Sequence, residues 1–210
     1  MTRILLVDDH AVVRQGLKQI LDGAVDDAIF GEAASGEEAL RMVEAADWDA
    51  VILDISLPGR SGLEALKELR RARPRLPVLV LSMYPEEQFA VRALRAGAAG
   101  YLAKKTTAAD LVAAVRSVLA GRRYVSPSLA ERLAGEIGLA PGRAPHELLS
   151  DREFQVFRLL ASGKTVTASA EQLGLSVATV STYRARILEK MGMRENYDLV
   201  QYSIVNRLFE

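Results

Sequence analysis

Five short apolar runs, RILLV, AIFGEA, AVILD, PVLVLS and GYLA, alternate over residues 1–120 with segments of helical period near 11–22, 36–46, 61–72, 86–96 and 107–120. This strict alternation constrains the fold more than any other feature. Parallel strands need crossover connections, the crossovers are right-handed, and their helices must cover both faces of the sheet. Strands buried on both faces have no polar side to show, which accounts for their unbroken Val, Ile and Leu character. The expected class is α/β, a doubly wound five-stranded parallel sheet, with a small all-α four-helix domain behind it.

The chain has 210 residues, enough for two domains of ordinary size. Half of them are apolar and 26% are charged, the balance of a globular protein that buries a core. There is no cysteine, so disulfide frameworks and thiolate metal sites are excluded and a reducing, cytoplasmic setting is expected. The N-terminal MTRILLVDDH has too short an apolar run for a signal peptide, and no stretch is apolar enough to span a membrane. Net charge is formally zero, from 27 basic and 27 acidic residues, so any nucleic-acid contact must rest on local charge.

The regularity of residues 1–120 fails over 121–147, a linker with a short helical patch whose core, 138–147, holds Pro141, Gly142 and Pro145. Residues 148–210 are helical in pattern throughout. Ser150 with Glu153 forms a capping-box signature and Gly163 closes that helix; a short helix spans about 167–173. Ser176 caps VATVSTYRARILEKMG, Gly192 ends it, and a last helix runs from about Asn196 to Leu208. In the first part, Ser35 with Glu38 and Thr107 with Asp110 carry similar cap signatures.

Open parallel sheets work at the carboxyl ends of their strands. The first strand ends in Asp8 and Asp9, the third in Asp54 and the fourth in Ser82, and the fifth reaches Lys104. Any one of these alone reads as a turn or cap residue. Together they form three carboxylates, a hydroxyl and an ammonium on one edge. Clustered carboxylates need a compensating cation, and an all-oxygen set suits Mg²⁺. A nucleophilic aspartate, a divalent ion and a lysine are the parts of a phosphoryl-transfer site. His10 starts a helix with no second histidine near it and reads as structural or solvent-facing; His146 lies in the linker.

ILLVDDH, DISLPGRSGLEAL, VLVLSMY and AGAAGYLAKK, in that order and spacing, resemble the receiver domain of bacterial two-component response regulators. The tail resembles the LuxR-type DNA-binding domain, so nearly the whole chain is similar to a NarL/FixJ-class response regulator. The resemblance implies a flavodoxin-like sheet of order 2-1-3-4-5 and phosphorylation of Asp54 by a histidine kinase. It implies Mg²⁺ held by Asp9, Asp54 and the backbone carbonyl of Ser56, with Asp8 acting through water. Lys104 would pair with the phosphoryl group, and Ser82 and Tyr101 would be the switch positions. Pro58 and Gly59 would constrain the loop after Asp54.

Residues 167–191 read as a helix, a tight turn at GLS and a second helix, the helix-turn-helix pattern. On the second helix Val177, Val180, Ile187 and Leu188 are expected in the core, and Ser181, Thr182, Tyr183, Arg184 and Ala185 in the groove of double-stranded DNA. The tail after residue 145 has eight Lys and Arg against eight Asp and Glu, but Arg184, Arg186, Lys190 and Arg194 cluster locally and suit phosphates. Ser169 stands where the family has an apolar residue, Ala168 where an acid is common, and Ser181 where a base is common. A homodimer of the active form is expected by resemblance. Two other readings stay open: a phosphorylation-independent or protein-binding receiver-like module, and an aspartyl-phosphate phosphatase. The phosphatase is disfavoured because Ser56 stands where such enzymes have a second acid; the overall expectation is of a regulator, not an enzyme.

Overall fold

The computed structural model describes residues 1–57, 61–131 and 144–209, and of Glu87 the backbone only. Pro58, Gly59, Pro141 and Gly142 therefore lie outside the described residues. The chain divides into two compact units, residues 1–138 and 139–210.

Unit 1 is the expected α/β sandwich. Its strands β1 (Thr2–Val7), β2 (Ala28–Ala33), β3 (Ala50–Asp54), β4 (Val78–Ser82) and β5 (Gly100–Ala103) alternate with α1 (Ala11–Asp22), α2 (Gly36–Ala45), α3 (Gly62–Ala72), α4 (Glu86–Arg95) and α5 (Ala108–Leu119). All strand pairs are parallel, in the order β2-β1-β3-β4-β5. Every residue of β3 and β4 is buried, as continuous apolar runs demand. Side chains alternate across the sheet: Ile4, Leu6, Ile52, Leu79 and Leu81 pack with Leu17 and Leu21 of α1 and Leu111, Val115 and Val118 of α5. The intervening Leu5, Val7, Val51, Leu53 and Val80 are equally buried, toward the face left for α2, α3 and α4.

The helix caps follow the sequence with two variations. Ser35 Oγ accepts from the Glu38 backbone, but the Glu38 carboxylate accepts from Ala34 rather than closing on Ser35. At α5 the shorter Asp110 side chain meets the Thr107 hydroxyl at 2.7 Å instead of the backbone. The segment after α5 does not leave unit 1 at once. Tyr124 forms a parallel bridge with Gly100, residues 127–131 are helical, and Leu129 is buried.

Unit 2 opens with a 3₁₀ turn (Pro145–Leu148) and continues as α6 (Asp151–Ala161), α7 (Val166–Leu173), α8 (Val177–Met191) and α9 (Asn196–Val205). Phe154, Phe157, Leu160, Val180, Ile187 and Leu199 form its core. Val177, expected in that core, is 47% exposed, because the first residue of α8 stands at the helix-turn-helix corner, beyond the reach of α6. The last helix stops at Val205 rather than Leu208, where Arg207 takes a left-handed backbone conformation (φ 49°). No described helix is long and apolar enough to cross a membrane.

Candidate phosphoacceptor site and nucleic-acid interface

The site is built from the strand ends outward. A Cβ at Gly62, the first residue of α3, would stand 2.3 Å from the Asp54 carbonyl oxygen and 2.4 Å from Ile55 Cα. Only glycine lets α3 begin this close to the end of β3, so helix and strand fix each other there. Ser61 caps α3 in a full capping box with Glu64.

Asp54 is held from both sides. One carboxylate oxygen accepts from the Ser56 amide at 2.8 Å; the other receives Lys104 Nζ at 2.7 Å. The same ammonium reaches Asp8 at 2.5 Å. Adjacent strands lie about 4.8 Å apart, and β5 is two places from β3 and three from β1. A long flexible lysine can cover that span where a shorter base could not.

The triad is nearly dry: the side chains of Asp8, Asp54 and Lys104 are 2%, 1% and 10% exposed. Burial pushes the Asp54 carboxyl above the usual aspartate range, although Lys104 and the Ser56 amide pull it down. Burial also opposes the Lys104 charge, but the Asp54 and Asp8 carboxylates outweigh it and hold its pKa above the ordinary lysine value.

Asp9, a cation ligand by the resemblance, follows Asp8 just beyond the end of β1 with its side chain 30% exposed. Its carboxylate meets His10 Nδ1 at 2.8 Å, and His10 also donates its backbone N–H to Asp8 at 2.8 Å. Potential ligand atoms of Asp8, Asp9 and His10 lie within 4.8 Å of one another, and Asp54 joins this group through Lys104. One ammonium cannot neutralise three carboxylates, and Ser56 Oγ, two residues after Asp54, is shut away with no hydrogen-bond partner among the described residues. The donor chemistry therefore fits a hard, oxygen-seeking cation with room for further oxygen ligands.

Ser82 and Tyr101 converge on one turn. Ser82 Oγ accepts from the Tyr84 amide at 3.1 Å, and the Ser82 carbonyl accepts from the Lys104 amide at 2.6 Å. Tyr101 is fully buried and donates its hydroxyl to the Tyr84 carbonyl at 2.8 Å. Burial pushes the Tyr101 phenol well above the ordinary tyrosine range, so it stays a donor at any physiological pH.

Arg14 is the participant the sequence reading missed. It donates to the Asp8 carbonyl at 2.6 Å and to Glu32 of β2 at 2.7 Å, while Lys18 holds the other Glu32 oxygen. No local pattern marks it, since its partner Glu32 lies 18 residues on.

In unit 2, the Thr165 hydroxyl caps α7 and Gly174 turns the chain in a left-handed conformation into α8, which Ser176 caps. Ser169, at the atypical position, is fully buried, and its hydroxyl donates to the Thr165 carbonyl at 2.8 Å. The polar substitution is thus satisfied within the helix rather than left unpaired. On α8, Ser181, Thr182, Ala185 and Arg186 are exposed, and Tyr183 and Arg184 are half-buried. Arg184 donates to Asn196 at 2.5 Å, and Lys190 to the buried Glu153 at 2.6 Å, so two of the expected DNA bases also brace the domain.

Residues 4–116 match the response regulator receiver domain and residues 147–203 the luxR family of bacterial regulatory proteins. The response regulator GacA of Pseudomonas viridiflava is 38% identical over 206 residues, 97% of this chain and 96% of GacA. A crystal structure of a LuxR-family two-component response regulator from Aurantimonas sp. SI85-9A1 is 38% identical, with a TM-score of 0.60 over 65% of this chain and 99% of that one. RcsB from Salmonella enterica serovar Typhimurium, bound to promoter rprA in the presence of the phosphomimetic BeF3⁻, is 26% identical with a TM-score of 0.66 over 96% and 97% of the two chains. An acid triad at the ends of a 2-1-3-4-5 sheet, a helix-turn-helix unit behind it and relatives matched from end to end lead to one conclusion: the chain belongs to the two-component response regulators of the LuxR (NarL/FixJ) class, with a receiver domain and a LuxR-type DNA-binding domain.

Proposed function

We propose that a histidine kinase phosphorylates Asp54 and that this controls sequence-specific binding of unit 2 to double-stranded DNA, and so transcription. The observation that carries the reading is the buried Lys104 ammonium shared by Asp8 and Asp54. A carboxylate oxygen of Asp54 attacks phosphorus, the P–N bond of the kinase phosphohistidine breaks, and the leaving imidazole keeps the electron pair. Lys104 stands where it neutralises the new phosphoryl oxygens, and the Ser56 amide keeps the attacking carboxylate aimed. Asp9, Asp54 and the Ser56 carbonyl would hold Mg²⁺, with Asp8 acting through water; the ion, when bound, offsets the phosphoryl charge. Ser82 turns toward the phosphoryl group, and the Tyr84 turn and Tyr101 respond.

The site is a switch rather than a turnover enzyme, since Ser56 offers no second acid two residues beyond Asp54. On the DNA side, Ser181, Thr182, Ala185 and Arg186 present the exposed face of α8, flanked by Tyr183, Arg184 and Lys190. The active form is a homodimer, whose two copies match paired half-sites. With DNA as partner, the protein works in the cytoplasm.

Incubation with Mg²⁺ and a small phosphodonor, followed by intact-mass measurement, tests this. The native chain gains the mass of one phosphoryl group and Asp54→Ala gains none. No gain in the native chain, or sustained phosphoester turnover, overturns the reading.

A further inference from the structure

The segment between the two domains begins on the receiver as a strap, latched to the turn that carries the switch residues. β5 is an edge of the sheet, and edges offer unpaired backbone groups. Tyr124 takes one of them: its amide donates to the Ala99 carbonyl at 2.8 Å, and it bridges Gly100 in parallel. A Cβ at Gly100 would lie 2.8 Å from the Tyr124 carbonyl oxygen and 3.0 Å from Tyr124 Cβ. The edge is shaped for this contact.

Two residues on, the strap is tied again. Ser126 Oγ donates to the Glu86 carboxylate, and Ser128 Oγ reaches the same oxygen at 3.3 Å. Ser126 Oγ also accepts from the Leu129 amide at 3.1 Å and so caps the helical residues 127–131, whose Leu129 is buried. Glu86 is the first residue of α4, two after Tyr84. Tyr84 in turn is held by Ser82 through its amide and by Tyr101 through its carbonyl. A connected path thus runs from Ser82, on the strand next to that of the phosphoacceptor, by a hydrogen bond to Tyr84, along the backbone through Pro85 to Glu86, and by hydrogen bond again to Ser126.

Resting on the proposed phosphorylation of Asp54, we infer that Glu86, Ser126 and Ser128 form a latch opened by that event. A phosphoryl group on Asp54 that draws the Ser82 hydroxyl toward itself pulls that oxygen off the Tyr84 amide, from which it now accepts at 3.1 Å. Moving it shifts the 83–86 turn and carries Glu86 away from the two serines. Once unlatched, the strap still holds to the receiver through the Tyr124 pairing with β5, the packing of Tyr124 against the core and the buried Leu129, without the charge-assisted tie to α4. Release of residues 124–130 lengthens the tether to the DNA-binding domain by up to about 25 Å. A longer tether changes the effective concentration at which two linked domains can engage paired half-sites.

Hydrogen exchange on the full chain, read at the Tyr124 and Leu129 amides, tests the latch. Phosphorylation is expected to speed both by about tenfold or more, the equivalent of one charge-assisted hydrogen bond. Glu86→Gln keeps the side-chain shape and removes the charge; it should exchange fast at both amides without phosphodonor while still taking up the phosphoryl group. Ser126→Ala/Ser128→Ala should do the same from the strap side, with circular dichroism confirming that each variant is folded. Unchanged exchange in a native chain shown by mass to be phosphorylated overturns the coupling, and unchanged exchange in both variants overturns the latch. A native chain that gains no phosphoryl mass sinks the parent reading and the coupling with it, while the variant comparison still decides the latch.

Discussion

Asp54 is a residue kept against the stability of its own domain. Its side chain is 1% exposed at the end of an otherwise apolar strand, and burial raises its pKa despite the lysine beside it. A carboxyl whose folded pKa lies above its unfolded value contributes stability below the unfolded pKa, near 4. That contribution is lost as pH rises through the folded value. At neutral pH the ionised group is therefore a burden, and Asp54→Asn should stabilise the receiver by about 0.5–2 kcal/mol, as removing a functionally retained charge commonly does. The gain should shrink as the pH falls below the raised pKa, because the native carboxyl is then protonated too. Thermal unfolding of both chains between pH 4 and 8 checks this; a destabilised Asp54→Asn at pH 7 would show that the Lys104 pair outweighs burial. Asp54 could be picked out from the sequence because it closes an apolar run and has acids and a lysine on neighbouring strand ends. Arg14 could not, since its hold on the Asp8 carbonyl depends on Glu32, 18 residues away, and nothing local announces the pair.

Elements show the same division between what is local and what is not. The strands fall within a residue of the apolar runs, and Ser150, Ser176, Gly163 and Gly192 mark helix ends where the side-chain chemistry requires them. Cap hydrogen bonds span three or four residues, so sequence reveals them. The ties between elements were not legible. Glu86 meets Ser126 across 40 residues, and Lys190 meets Glu153 across 37. The second tie makes the α6 N-terminus and the α8 C-terminal turn one unit. Burial opposes the Glu153 charge, but Lys190 and the Ser150 cap outweigh it and lower its pKa. The stability this gives is present above the unfolded glutamate pKa and is lost as pH falls through the lowered folded value. Lys190→Met should cost the helical domain about 1–2 kcal/mol at pH 7, below the range for a fully buried pair because the lysine is 42% exposed. Denaturant unfolding should show that cost fading below about pH 4. A cost that does not change with pH would mean that Lys190 acts by packing its stem rather than by its charge.

For the molecule as a whole, charge decides what phosphorylation can and cannot do. The chain is formally neutral, and its DNA-binding part after residue 145 is balanced at eight basic and eight acidic residues. No global field draws it to DNA, so with the proposed interface on α8 the affinity is expected to rest on a few phosphate contacts and to fall steeply with salt. A phosphoryl group carries about −1.5 to −2 charges at neutral pH, but on Asp54 it replaces the carboxylate's own charge, so the net change is about −0.5 to −1. Electrostatically that opposes DNA binding. An increase in affinity on phosphorylation must therefore come from geometry: a changed tether and two copies engaging paired half-sites, where linkage multiplies affinity without new contacts. The two effects separate in a salt titration. Where both states engage the same paired half-sites and differ only in tether, DNA affinity of the full chain should fall with salt with similar slopes, and the ratio between phosphorylated and unphosphorylated chains should stay about constant from 50 to 200 mM salt, a range over which phosphate contacts weaken strongly. Were the gain instead due to phosphate contacts newly exposed on α8, the phosphorylated chain would have the steeper slope and the ratio would collapse at the higher salt. Fluorescence anisotropy with a duplex carrying the selected site, with and without phosphodonor, distinguishes the two. A collapsing ratio would move the origin of the response from the tether to the recognition surface.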